Sequence, residues 1–218
     1  MKKRLAKHTF DLTSGCLCLD FVNTVDHRLS SQPQEKLTGF AELVAFGEQA
    51  GPLSAPEARK LRSDGRERVR EASAFLQHAV ALREMIFRIF SAVAVCREVS
   101  DTDVETFNAA VRRSNAHSLV MPGDGKTAWQ WLEKSSDADR MMGKIVRSAV
   151  EVLTSGDIRR VKECAADDCG WLFIDDSRSR NRRWCEMKTC GSRNKARAYY
   201  RRKKADRQRM SGRIPSAR

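Results

Sequence analysis

Four cysteines in the last third of the chain, Cys164, Cys169, Cys185 and Cys190, are spaced Cys-x4-Cys-x15-Cys-x4-Cys. Two close pairs joined by a short segment can bring four thiolates to the corners of one tetrahedron, the ligand set of a structural zinc ion. All four positions are cysteine, so none is left open for water and a catalytic ion is not expected. The competing reading, four unrelated buried cysteines, leaves the paired spacing beside a basic segment unexplained. The other three cysteines do not extend the pattern. Cys16, Cys18 and Cys96 read as buried small apolar residues, Cys96 on the inward side of a helix.

A second group follows the last cysteine. SRNKARAYYRRKKADRQRM begins at Ser192 and holds strong helix formers without Pro or Gly. Arg193, Arg197, Arg201 and Lys204 recur at helical spacing and form one ridge, with Lys195, Arg202 and Lys203 on a neighbouring face. Like charges four residues apart destabilise an isolated helix. A line of phosphates would compensate and add salt-dependent affinity, and arginine can read guanine edges in a major groove. Arg182 and Arg183, before the third cysteine, join this ridge as candidate nucleic-acid contacts. The alternative is a solvated charged tail. Tyr199 and Tyr200 can stack on bases or pack against the metal module; packing is favoured.

Charge distribution supports a polyanionic partner. Of 41 Lys+Arg and 28 Asp+Glu, residues 157–218 hold 19 and 8, and residues 1–156 hold 22 and 20. A near-neutral body therefore carries a basic end. No secretory signal is expected: the run after Lys2, Lys3 and Arg4 is short and contains Asp20. No apolar stretch is long enough to span a bilayer. A cytoplasmic location is the default, where seven cysteines read as ligands or core thiols rather than as disulfides.

The elements needed to position these groups follow from periodicity. Between the cysteine pairs, WLFIDDSRSRNRRWC has an apolar run, a polar turn at 177–181 and a return run, which predicts a β-hairpin. Knuckle, hairpin and a helix carrying the last ligand make a treble-clef-like zinc finger. Trp171, Phe173 and Trp184 would be its minimal core, with the metal supplying the remaining stability. Lys162, Arg183 and Lys188 are placed to offset the excess thiolate charge.

The body reads as helical. A short helix follows Gly15, with Leu17, Cys18, Phe21, Val22 and Val25 inward and Asp20 and Asn23 on another side. Further helices cover about 38–50, with Leu43, Val44 and Phe46 inward and Gly51-Pro52 as a stop, and then one with Pro56 in its first turn. The longest spans about 69–97, burying Phe75, Leu76, Ala79, Leu82, Ile86, Ile89, Phe90 and Val93. Ser100 or Asp101 caps a helix to about 114, with Val104, Phe107 and Val111 inward. Residues 117–132 predict a hairpin around Pro-Gly-Asp-Gly, and a last helix over about 137–155 stops at a left-handed Gly156. The fold class is mainly α with a small β-hairpin: a helical domain over 1–156 and a finger over 157–218. No Pro/Gly/Ser-rich linker separates them, so they are expected to pack together.

Within the body, Asp20, Asn23 and Thr24 form a polar cluster in an apolar segment. Two readings compete: they cap or bridge neighbouring elements, which is favoured, or they line a small-molecule pocket, to which His27, Arg28 and Trp131 could also belong. No nucleophile elbow, HExxH or phosphate-binding glycine loop is present, and His8, His27, His78 and His117 are scattered. No enzymatic activity is expected.

Two segments carry a resemblance. CAADDCGWLFIDDSRSRNRRWCEMKTCGSRNKAR resembles the zinc finger of the CGNR family of bacterial proteins, named for Cys-Gly-Asn-Arg at its last ligand. Here the motif is Cys190-Gly191-Ser192-Arg193, with serine in place of asparagine. GCLCLDFVNT resembles the start of the ABATE domain, which precedes that finger in the family. The resemblance implies a stress-induced transcription regulator, with the finger binding DNA and the helical domain sensing a ligand. Duplex DNA is the first partner expected, and homodimerisation through the body is open. An RNA-binding or ribosome-associated protein, and a redox or zinc sensor acting through its thiolates, are the alternatives.

Overall fold

The computed structural model describes residues 9–123 and 126–211. His8, Lys2, Lys3, Arg4 and the tip of the Pro-Gly-Asp-Gly turn lie outside them. An extended segment reaches Gly15, whose φ of +96° only glycine adopts without strain. It turns the chain into α1 (Leu17–Val22), where Cys18, Leu19, Phe21 and Val22 are all buried. This helix is shorter than its periodicity predicts: Asn23 caps it, and Val25 begins β1 (Val25–Asp26), which pairs antiparallel with β2 (Gln34–Glu35).

Next come α2 (Phe40–Gln49) and α3 (Ala55–Glu67). Ser54 and Glu57 form a capping box at the start of α3, with Pro56 in its first turn. The long α4 (Val69–Ala94) crosses the body, followed by α5 (Asp101–Ala116), which Ser100 caps through the Asp103 amide. The hairpin β3 (Ser118–Gly123) and β4 (Lys126–Trp131) leads to α6 (Asp137–Thr154). Phe21, Phe46, Phe90, Ile86, Met141 and Ile145 from α1, α2, α4 and α6 fill the centre of the core.

Three expectations about the body need correction. Val104 is 43% exposed; Asp103 takes the inward place beside it and pairs with Arg88 of α4. The helix α4 ends at Ala94, so Cys96 lies beyond it, exposed and at a φ of +54°. Gly156 is not left-handed; Ser155 leaves α6 in extended backbone and Gly156 opens a 3-10 turn (Gly156–Arg160). Periodicity also hides a charge on the inward side of α4. Arg83 is 2% exposed, donates to both carboxylate oxygens of Glu35, and also meets Glu84 and Thr24.

The C-terminal module starts with β5 (Val161–Glu163), antiparallel to β6 (Leu172–Ile174). The expected hairpin is therefore placed differently. β6 pairs backwards across the first cysteine pair rather than forwards with the run before Cys185, which follows turns and makes one ladder-like bond, Ala165 N–H to the Arg183 carbonyl. The reason is packing: Val161, Leu172 and Ile174 enter the core of the body, and only the β5–β6 pairing points all three there.

Body and module form a continuous interior. The Asn23 amide donates to the Leu172 carbonyl (2.8 Å) and accepts from the Leu172 N–H (3.0 Å). The Trp171 indole donates to the Val25 carbonyl, the Arg28 N–H to the Cys169 carbonyl, and the Ile174 N–H to the Ser14 carbonyl. Among the described residues no helix is long and apolar enough to cross a membrane.

Candidate metal centre and nucleic-acid interface

The first knuckle runs Cys164 to Cys169 and turns at Gly170, whose φ is +70° and where a Cβ would strike Leu29. β6 then carries the chain away, and turns return it to Cys185. A π-helical turn (Met187–Gly191) holds Cys190 and runs directly into α7 (Ser192–Ser211). Ser192, where the family motif has asparagine, donates its hydroxyl to the Met187 carbonyl and so ties this turn to the helix.

All four cysteines are buried and none is in a disulfide. Their sulfurs lie within 4.8 Å of one another, with Cys169–Cys185 at 3.7 Å and Cys185–Cys190 at 3.6 Å. Zinc–sulfur bonds of about 2.3 Å place tetrahedral sulfurs about 3.8 Å apart. The spacing and the all-thiolate donor set therefore fit one zinc ion with no open position. Trp171 and Phe173 pack against the thiolates, with Trp184 partly buried beside them.

The loop between the ligand pairs is organised by Asp175, which is fully buried. One of its oxygens accepts from Lys162 Nζ and the Arg182 N–H, the other from the N–H and hydroxyl of Ser177. Burial alone would raise this carboxyl, but the Lys162 and Ser177 bonds outweigh it and hold the group well below the ordinary carboxylate range. Asp175→Asn would turn one acceptor oxygen into a donor facing donors. We expect this change to cost about 3 kcal/mol and to speed zinc loss to a chelator, read by urea unfolding and a colorimetric zinc assay; unchanged values in both would remove Asp175 from this role.

The basic residues divide into two groups. Arg182 is spent inside the finger: its guanidinium stacks 4.4 Å from the Phe173 ring and donates to the Trp184 and Cys185 carbonyls. Lys162 serves Asp175 and the Arg180 carbonyl instead of the thiolates. Arg193 is the cation that reaches them, with Nη2 3.4 Å from Cys190 Sγ. Arg193 and Arg197 also converge on Asp168, at 3.5 and 3.2 Å, with His27 of the body 3.4 Å from the same carboxylate. Burial would raise Asp168, but these arginines hold it below its ordinary value. The first half of the expected ridge thus fastens α7 to the knuckle. Arg183 is exposed, with its guanidinium 5.3 Å from the centroid of the Trp184 ring, and Lys195, Arg201, Arg202 and Lys204 are exposed as well. Asp168 is the residue the sequence reading missed; its place inside the first Cys-x4-Cys was the available signal.

Tyr199 and Tyr200 do not pack against the finger. They are 54% and 68% exposed, and their ring contacts among the described residues are with each other, edge-on at 5.6 Å between centroids, and with Lys203.

Asp20, Asn23 and Thr24 are placed as bridging residues. Asp20 accepts from the Ser14 N–H, Asn23 holds Leu172, and Thr24 links the Phe21 carbonyl to Arg83. His27 and Arg28 lie by the finger, whereas Trp131 lies on the far side, against Gly143 and the Arg147 guanidinium. A cavity of about 570 Å³ lies between α4, α5 and α6, lined by Phe75, Leu82, Met85, Ala110 and Met142 among others, with His78, His117 and Arg113 beside them; Asp20, Asn23 and Thr24 are not among its lining residues.

Two family models match the chain. The ABATE model, described as "Putative stress-induced transcription regulator", matches residues 15–156, and the CGNR zinc finger model matches residues 160–203. The search of curated proteins finds no match.

Proposed function

The chain belongs to the ABATE family, and from that premise we propose that it is a DNA-binding transcription regulator whose four-cysteine zinc finger presents α7 to the duplex. The observation that carries this reading is the division of the basic residues. Asp168 and the Cys190 sulfur hold the first turns of α7 through Arg193 and Arg197, while Lys195, Arg201, Arg202 and Lys204 project into solvent from an aimed helix. Exposed cations on an anchored helix are what phosphate contacts require. The zinc holds structure and takes no part in bond making. The protein acts by binding, not by catalysis, in a reducing cytoplasm where its thiolates persist.

The body is the sensing part. Its cavity between α4, α5 and α6 falls in the size range of small-molecule sites and is mainly apolar.

RNA is the second reading, favoured by one observation: the exposed Tyr199 and Tyr200 offer two faces on which unpaired bases can stack. Fluorescence anisotropy with duplex DNA and structured RNA of matched length and salt tests the choice. The proposal expects duplex DNA to bind more tightly, with a steep log–log salt slope; tighter RNA binding at every salt concentration would replace it with the second reading.

A further inference from the structure

Two thiols outside the zinc site lie against each other at the start of α1. Cys16 Sγ and Cys18 Sγ are 3.5 Å apart. Residues two apart in a continuous helix point to nearly opposite sides. Here Cys16 is still in extended backbone, at φ −158° and ψ 156°, and this swings its side chain round to meet that of Cys18 in the first turn. Cys16 is half-buried and reachable by a small oxidant; Cys18 is fully buried.

The pair is chemically unequal. The hydrogen bond from Cys18 lowers the Cys16 thiol, against its own burial and the nearby Asp20 charge. Burial, followed by the neighbouring Cys16 sulfur, pushes Cys18 well up. Cys16 is the readier of the two to lose its proton and Cys18 the readier to keep it, the division of labour of an attacking and a resolving cysteine.

We propose that Cys16 and Cys18 are a peroxide-oxidisable dithiol that closes to a disulfide and loosens the seam between α1 and the finger. The Cys16 thiolate attacks one oxygen of hydrogen peroxide, the O–O bond breaks, and hydroxide leaves and takes up a proton as water. The resulting Cys16 sulfenic acid is attacked by the Cys18 sulfur, and the Cys18 proton and the sulfenic hydroxyl depart as a second water. Two thiols lose two electrons and one peroxide is reduced to two waters. A thiol reductant reverses the step.

The coupling lies in residues 14–16. The Ser14 carbonyl accepts from the Ile174 N–H at 2.8 Å, the Ser14 hydroxyl donates to the Cys16 carbonyl, and a Cβ on Gly15 would lie 3.3 Å from Ile174 Cβ. Closing the sulfurs from 3.5 Å to a bond of about 2.05 Å draws Cys16 toward α1 and pulls this segment off β6. The disulfide changes how firmly the first strand after the knuckle is held, without touching a zinc ligand.

The test uses the full zinc-loaded chain with the exposed Cys96 replaced by serine, treated with one equivalent of hydrogen peroxide. Peptide mass mapping after alkylation is expected to show two thiols lost together in the peptide carrying Cys16 and Cys18, with zinc retained and dithiothreitol restoring both. Amide exchange at Ile174 is expected to rise at least about tenfold in the oxidised form. Cys16→Ser, at the less buried position, should abolish the reaction while keeping the melting temperature. Oxidation and zinc release at the four finger cysteines before Cys16 reacts would overturn the proposal, and so would a disulfide that leaves Ile174 exchange unchanged.

Discussion

Removing the zinc from the full chain is expected to melt the body together with the finger. The finger's own core is little more than Trp171, Phe173 and the edge of Trp184 around the four thiolates. Its other apolar residues, Val161, Leu172 and Ile174, belong to the core that Phe21, Phe46 and Phe90 fill. A structural zinc contributes on the order of 10 kcal/mol to a small module, comparable with the whole stability of an ordinary domain. Without it β5 and β6 lose their anchor. Asn23 is then left with a buried amide and no partner, and the floor of the body opens to water. Calorimetry after chelation should show one transition moved down by well over about 10 °C, not a small early transition ahead of an unmoved large one. Cys185→Ala should behave alike in excess zinc. A body transition at its original temperature after full metal loss would show that the two parts fold separately.

Neutralising Arg201, Arg202 and Lys204 together to glutamine should weaken duplex binding by about 500-fold at 0.1 M salt and flatten the log–log salt slope by about 3, if each cation neutralises one phosphate. All three are exposed, so the fold and the zinc content should stay as they are. Arg197→Gln should behave differently. Its guanidinium already pairs with Asp168 at 3.2 Å, so its loss should loosen the start of α7 while changing the slope little. An unchanged slope in the triple variant would move the interface off this face of α7.

The metal site was legible because ligand chemistry is local: four cysteines, their spacing and the basic helix behind them are all written in the order of residues. The helices of the body were legible for a similar reason, since Phe21, Phe46, Ile86 and Phe90 sit at helical intervals within their own segments. What failed depended on distant partners. Arg83 is buried because Glu35 reaches it across 48 residues of chain. β6 pairs with β5 and not with the run before Cys185 because the body already offers a core for Val161, Leu172 and Ile174. Spacing alone makes the ridge on α7 one row of equal charges, whereas Asp168, from the opposite end of the finger, takes two of them. Periodicity gives the face a residue occupies, not what stands opposite it.

The bond pair between Asn23 and Leu172 also sets an order of events during synthesis. The two residues are 149 positions apart. At about 5–20 residues per second, a ribosome needs on the order of 10–30 s to bring the second into being after the first. Throughout that interval the opening helix has its apolar side made and its strand partner unmade. The nascent chain must hold its first segment unfinished until the last third emerges and meets metal. Zinc supply therefore acts on whether newly made chains mature at all, as well as on finished molecules, and a zinc-starved cell should accumulate full-length chains that are captured by chaperones or degraded.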